Sequence, residues 1–136
     1  MDEMIQAALK TVASIGAQQR TRLPSPPGSP FVREEVVSED GLWIGIVTTE
    51  PGGASPWHHH GEHTTYAYVL EGTAVIEMSG ADGGEIERVH AAADGSFHVI
   101  PGGLVHREIN DGETKNRFLI IRRGHGPPVV PVDPPA

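Results

Sequence analysis

The chain of 136 residues has no cysteine at all. Disulfide frameworks, zinc ribbons and thiolate catalysis are thereby excluded, and the composition fits a reducing compartment, so a cytoplasmic location is the expectation. Positive charge is short too. Ten Lys and Arg face 18 Asp and Glu, for a formal net charge of −8 and a pI near 5.4. Long-range attraction to nucleic acid or to an anionic membrane is disfavoured at that balance, and nothing resembles a helix-turn-helix. No apolar run approaches the roughly 18–20 residues that span a bilayer. A signal peptide is not expected either: Asp2 and Glu3 stand where a positive n-region would be, and Gln6 and Lys10 interrupt the stretch that follows.

What the chain does have is glycine and proline, 17 and 12 residues respectively. Together with scattered short apolar runs they predict a turn-rich all-β domain, long enough to bury a core without staples. Residues 2–20 are the one helical candidate: Ile5, Leu9, Val12 and Ile15 fall near a 3.6-residue spacing and Gly16 would stop the helix. The stretch 23–30, LPSPPGSP, holds four prolines and a glycine and reads as a stiff linker. The organisation expected is therefore an N-terminal extension over 1–30, a barrel over 31–124 and a Pro-rich tail over 125–136. Within the barrel, strands are expected at 31–37, 42–49, 65–70, 73–79, 85–90, 96–100, 104–110 and 117–123, separated by Gly-, Pro-, Asn- and Asp-bearing turns. In the tail, 129–132 reads as an edge strand and the rest as mobile.

The segment from Gly52 to Gly72 carries three consecutive imidazoles, His58, His59 and His60. On an extended chain His58 and His60 share one face while His59 points to the other. Their Cα atoms are then roughly 6–7 Å apart, close enough for both rings to lean onto one cation. Imidazole suits Zn, Cu, Fe and Ni. Alone, such a run is more often a solvated loop. A fourth histidine, His106, arrives in a second glycine- and proline-cornered segment, GSFHVIPGGLVHREIN, starting at Gly95.

That second segment, with Gly95, Pro101, Gly103, His106 and Asn110 spaced G-x5-P-x-G-x2-H-x3-N, resembles the second motif of the cupin superfamily at every fixed position. The first cupin motif, G-x5-H-x-H-x3,4-E-x6-G, is matched by Gly52, His58, His60 and Gly72, and the intermotif gap is of the short kind found in small single-domain bacterial cupins. The resemblance covers about Leu42 to Arg123. It implies an all-β, double-stranded β-helix (jelly-roll) barrel holding one divalent metal ion (Fe, Mn, Ni, Zn or Cu).

One position departs. The family glutamate should fall at Thr65, and a neutral hydroxyl is a poor substitute for a carboxylate on a divalent ion. Two readings stay open: a three-histidine face of His58, His60 and His106, as in cupins that lack the glutamate, or the same face completed by Glu62 or His63 from the following turn. A metal-free, hydrogen-bonded histidine cluster is the bland alternative. If Thr65 faces inward, alternation carries Ala67 and Val69 inward with it and turns Tyr66 and Tyr68 out. Ala74, Ile76 and Met78 would line the bore from the next strand, with Trp57 at the mouth and His98 beside the histidines or in an ordinary half-buried position. The expected function is a small metalloenzyme acting on a small organic substrate, dioxygenase-like or isomerase-like. The alternative is a non-catalytic ligand-binding or sensing module with structural or no metal. A homodimer through the outer sheet face is expected with either.

Overall fold

From position 64 to 69 the odd positions are buried and the even ones half-buried, so Thr65, Ala67 and Val69 look inward and Tyr66 and Tyr68 outward, as alternation requires. A computed structural model of the chain, which describes residues 11–80 and 84–135, repeats this pattern on two antiparallel sheets. The strands are β1 (Thr21–Arg22), β2 (Phe31–Glu39), β3 (Leu42–Thr49), β4 (His58–His59), β5 (Thr64–Glu71), β6 (Thr73–Met78), β7 (Glu87–Ala92), β8 (Phe97–Ile100), β9 (His106–Ile109), β10 (Asn116–Arg123) and β11 (Val130–Pro131). One sheet runs β1-β2-β3-β10-β5-β8 and the other β11-β4-β9-β6-β7. The expected all-β jelly roll is what forms. Apolar packing closes one end of the space between the sheets: Ala67, Val69, Ala74, Ala91 and Phe118 form the core, with Ile120 against it. Small residues from facing strands let the sheets meet there. Toward the other end they part around a cavity of about 700 Å³.

Three expectations need revision. No α-helix occurs among the described residues. The only helical turn is a 3₁₀ piece at Ala17–Gln19, where the Gln19 side chain caps the Gly16 amide at 2.6 Å. Val12, on the supposed apolar stripe, is 92% exposed, so nothing packs on it and a short helix there has no tertiary support. Residues 2–10 of that candidate lie outside the described residues. Second, the Pro-rich stretch after β1 does not space two units apart. Thr21 and Arg22 pair with Glu35 and Glu34, the Leu23 amide donates to the Arg33 carbonyl at 2.9 Å, and Arg33 Nη2 reaches the Pro24 carbonyl at 3.2 Å. The chain before residue 31 thus joins the sheet. Third, part of the tail expected to be mobile is tied down. The edge strand expected at 129–132 forms, Val130 and Pro131 pairing with His59 and His58, but the carbonyls of Gly126 and Pro128 before it also accept hydrogen bonds from His63 and His60. Proline gives up its N–H and keeps its carbonyl, which is the group used here. Among the described residues no helix is long and apolar enough to cross a membrane.

The turn before β9 shows why the motif glycine is needed. Gly103 adopts φ +78°, a left-handed conformation that side chains disfavour, and this corner points the chain into the barrel three residues before His106. At the far end of β9, Asn110 is 1% exposed. Its amide nitrogen donates to the carbonyls of Thr49 at 3.0 Å and Thr114 at 2.9 Å, and its carbonyl accepts from the Gly112 amide at 3.0 Å. The last residue of the motif therefore clamps the end of β9 to the chain at Thr49 and to the loop at 112–114, at the edge of the cavity.

Candidate metal centre

The strand pairing β4–β9 is one register step, His58 opposite His106. That step brings the two motifs into contact. The rings of His58, His60 and His106 lie 4.5–5.0 Å apart centroid to centroid. His58 and His60 are 5% and 4% exposed, and His106 is fully buried. Each ring is held by its back nitrogen: Nδ1 of His58 lies 2.7 Å from the Pro56 carbonyl, that of His60 2.8 Å from the Pro128 carbonyl, and that of His106 2.8 Å from the Leu104 carbonyl. A carbonyl only accepts, so each Nδ1 carries the proton. The neutral rings of His58 and His60 then offer Nε2 as a lone pair, the tautomer a metal ligand requires, while His106 Nε2 faces the Glu108 carboxylate and gives up its proton when a cation takes that place.

The fourth member is Glu108, two residues beyond His106 on the same face of β9. The ligand atoms of His58, His60, His106 and Glu108 all lie within 4.8 Å of one another. Glu108 Oε1 stands 3.0 Å from His106 Nε2, and Oε2 3.8 Å from His58 Nε2. Two donors bound to one ion at about 2.1 Å each, at right angles, stand about 3.0 Å apart, so the donor set fits a divalent ion. Ser55 orients the carboxylate: its hydroxyl donates to Glu108 Oε2 at 2.8 Å and accepts from the Glu108 amide at 2.9 Å.

Charge in the cluster is tuned accordingly. Burial pulls the His60 imidazole down to about 4, helped by the nearby Arg122 charge, and burial lowers His58 against the opposing pull of Glu108. For His106 burial acts downward as well, but the Glu108 hydrogen bond and charge outweigh it and the net shift is upward. Burial would raise Glu108, yet His106, His58 and the Ser55 hydroxyl hold it down to about 2. The carboxylate is thus ionised and His58 and His60 are neutral near pH 7, as ligands of a cation have to be.

Neither Glu62 nor His63 joins this group. The Glu62 side chain is exposed, and His63, though on the cavity wall, spends Nε2 on the Gly126 carbonyl at 2.9 Å. Thr65 is 2% exposed and faces the cavity, where its hydroxyl accepts a long 3.4 Å hydrogen bond from Arg122 Nε. Of the other expected lining residues, Ala67, Ala74 and Ile76 are on the cavity wall, and Trp57, Val69, Met78 and His98 are not. Val69 is consumed by the apolar plug. Trp57 stacks under the Arg107 guanidinium, 5.1 Å from ring centroid to Cζ. Met78 ends β6 opposite His106, and His98 sits opposite Ala67 on the edge strand β8, half-buried. Glu108, Ser55 and Arg122 were not singled out from the sequence. The signal that reaches Glu108 is period-two alternation from His106, and the same alternation along β10 puts Arg122 on the face of Phe118 and Ile120.

A cupin-domain family model matches residues 45–122, which takes in both histidine segments. The chain belongs to the cupin family. Among curated relatives, this cupin is 29% identical over 91 residues to germin-like protein 3-7 of Oryza sativa subsp. japonica, covering 67% of this chain and 38% of that protein. It is also 29% identical over 91 residues to oxalate oxidase GF-3.8 of Triticum aestivum, covering 66% and 41%. It therefore spans about two fifths of these relatives. Among solved structures, recombinant oxalate oxidase in complex with glycolate aligns with a TM-score of 0.63 at 25% identity over 79% of this chain and 56% of that one. The capsular polysaccharide assembling protein CapF from Staphylococcus aureus aligns with a TM-score of 0.71 at 17% identity over 85% and 32%, a likeness of fold.

Proposed function

We propose that this cupin is a divalent-metal enzyme acting on a small organic substrate, with His58, His60, His106 and Glu108 as ligands. The observation that carries the reading is the set of three Nδ1–carbonyl hydrogen bonds, which turns three Nε2 atoms toward one another beside one ionised carboxylate. Imidazole and carboxylate together suit Mn, Fe, Zn and other borderline ions. Such an ion supplies Lewis acidity or, where it is redox-active, a site for dioxygen chemistry. The protein's part is to hold the four donors fixed, to orient Glu108 through Ser55, and to exclude bulk water with apolar walls. The relatives named oxalate oxidase make an oxidase of an organic acid the nearest reaction class. Metal analysis of purified protein reconstituted with Mn(II), Fe(II) or Zn(II) tests the reading: about one ion per chain is expected, lost in His106→Ala, and a ratio near zero with every metal defeats it.

A ligand-binding module without turnover is the second reading. It is supported by how the acid–base groups on the cavity wall are already engaged: His63 by Gly126, Asp40 by His125, Glu108 by Ser55 and His106. A ligand that stabilises the metal-loaded protein and is recovered unchanged would favour it. With either reading we propose a homodimer through the outer face of the six-stranded sheet. Phe97 and Val99 there are 58% and 57% exposed and stand opposite Tyr68 and Tyr66. A sedimentation mass near 14.5 kDa would overturn this part.

A further inference from the structure

Arg122 is a cavity cation that no carboxylate among the described residues pairs with. It lies on β10 directly across from Thr65, the position where the family motif carries glutamate. Its seat is built. Gly45 on β3 has no side chain because a Cβ there would overlap the Trp43 ring, so the indole folds across the inner face of the sheet. The Trp43 N–H donates to Glu35 Oε1 at 2.9 Å, which fixes the ring. The Arg122 guanidinium rests over it, 5.5 Å from Cζ to centroid, and Nε reaches the Thr65 hydroxyl. No carboxylate among the described residues comes within ion-pair distance of Arg122. The acids on the cavity wall are otherwise engaged: Glu108 with the histidines and Ser55, Asp40 with His125, and Glu39 with a partner of its own. A second guanidinium, Arg33, lines the same cavity from β2. Burial lowers the Arg122 pKa and the like charge of Arg33 adds to this, while Glu108 opposes it. A desolvated cation beside another cation is costly unless an anion completes the site.

The remaining wall fixes the rest of the ligand. Ile76, Ile100, Phe118 and Ile120 face a cavity of about 700 Å³, far more room than a two-carbon acid fills. A guanidinium fork matches a carboxylate in two parallel hydrogen bonds. We propose that Arg122 anchors the carboxylate of an organic monoacid whose apolar body, about the size of an aromatic ring, occupies the space between Trp43 and the isoleucines. This names the substrate class of the proposed enzyme; the reaction rests on that proposal, whereas the binding does not.

The test is a calorimetric titration of phenylacetate into metal-free and zinc-loaded full-length protein, with Trp fluorescence as a second readout because Trp43 lies under the anchor. Phenylacetate should bind both forms. In the metal-free form, phenylacetamide, the neutral isostere, and oxalate, which lacks the apolar body, should each bind at least about tenfold more weakly, the loss of one charge-assisted contact or of its hydrophobic counterpart. Arg122→Met should weaken phenylacetate by at least about tenfold with zinc content unchanged, and Arg122→Lys should recover part of the loss. Equal binding of phenylacetate and phenylacetamide, oxalate binding to the metal-free protein as tight as phenylacetate, or affinity unchanged in Arg122→Met would each overturn the assignment. Should Arg122→Met fail to fold, the wild-type comparison of acid with amide and the Arg122→Lys variant decide. Zinc uptake near zero with phenylacetate binding intact would remove the metal reading and leave this one standing; normal zinc uptake without binding of the acid does the reverse.

Discussion

Glu108→Gln separates the carboxylate's charge from its shape. The substitution keeps the side-chain volume and a carbonyl oxygen that can accept from Ser55 Oγ, now 2.8 Å from Oε2. It removes the only anion from a set whose other three members are imidazoles, two of them driven toward neutrality by burial. Taking one partner out of a buried charge interaction costs about 3–5 kcal/mol, and about 1.4 kcal/mol is a factor of ten. Zinc or manganese affinity should therefore fall by roughly a hundredfold to a few thousandfold. Competition against a chromophoric chelator at pH 7 reads this directly. Metal-free stability, followed by urea unfolding, should change less, because the amide keeps the Ser55 contact and no cation is there to lose its anion. A shift of threefold or less in metal affinity, with the protein folded, would refute the assignment of Glu108 and return the site to three histidines.

Further outcomes follow from the same contacts. Ser55→Ala leaves all four donors in place but frees the carboxylate to rotate, and should cost about 10–100-fold in metal affinity, the usual effect of removing a group that orients a ligand. Thr65→Glu combined with Glu108→Ala restores a carboxylate at the family position and should recover measurable metal binding relative to Glu108→Ala alone. Asn110→Asp turns the amide's two donated hydrogen bonds into oxygen–oxygen repulsions at buried carbonyls and should destabilise the fold by about 2–4 kcal/mol in chemical denaturation. In metal-free protein the depressed His60, near 4 against an ordinary 6.5, binds fewer protons folded than unfolded between those values. Its stabilisation is complete above pH 6.5 and is lost as pH falls toward 4; His58 acts in the same sense, and His106, raised, opposes them. Urea midpoints should thus fall between pH 7 and pH 5, and a flat profile would contradict the burial of these rings. Glu77→Gln weakens bonds to Arg88 and Arg107, but those arginine side chains are 57% and 35% exposed and recover water, so the loss should be only about 1 kcal/mol by thermal unfolding.

Most of the barrel was legible because period-two patterning and turn chemistry are local. Leu42–Thr49 is β3 with the expected ends, and the inward set of Thr65, Ala67 and Val69 follows from alternation alone. The motif spacing also predicted that His58, His60 and His106 would meet. What stayed hidden depends on partners distant in sequence. Thr21–Arg22 has no apolar pattern and is a strand only because Glu34 and Glu35 lie alongside. The Pro-rich tail reads as loose because proline cannot donate to a ladder, yet its carbonyls fix His60 and His63, a use that leaves no trace in composition. Met78 and His98 have the parity of lining residues, but the cavity is bounded along the strand as well as across it, and alternation is silent about depth.

The carboxylate itself shows how a motif can be broken in sequence and kept in space. A glutamate at position 65 would stand across from Arg122 and pair with it. With threonine there, that guanidinium keeps its charge for a ligand, and the negative charge the histidines need comes from β9, two residues past His106, where Ser55 can aim it. Moving one acid from β5 to β9 thus changes two things together: the metal-binding set gains its anion from another strand, and an otherwise neutralised arginine becomes available to bind an acid. The double substitution Thr65→Glu with Glu108→Ala should accordingly rescue metal binding while abolishing the preference for phenylacetate over phenylacetamide. Rescue of both together would mean that Arg122 plays no part in choosing the ligand.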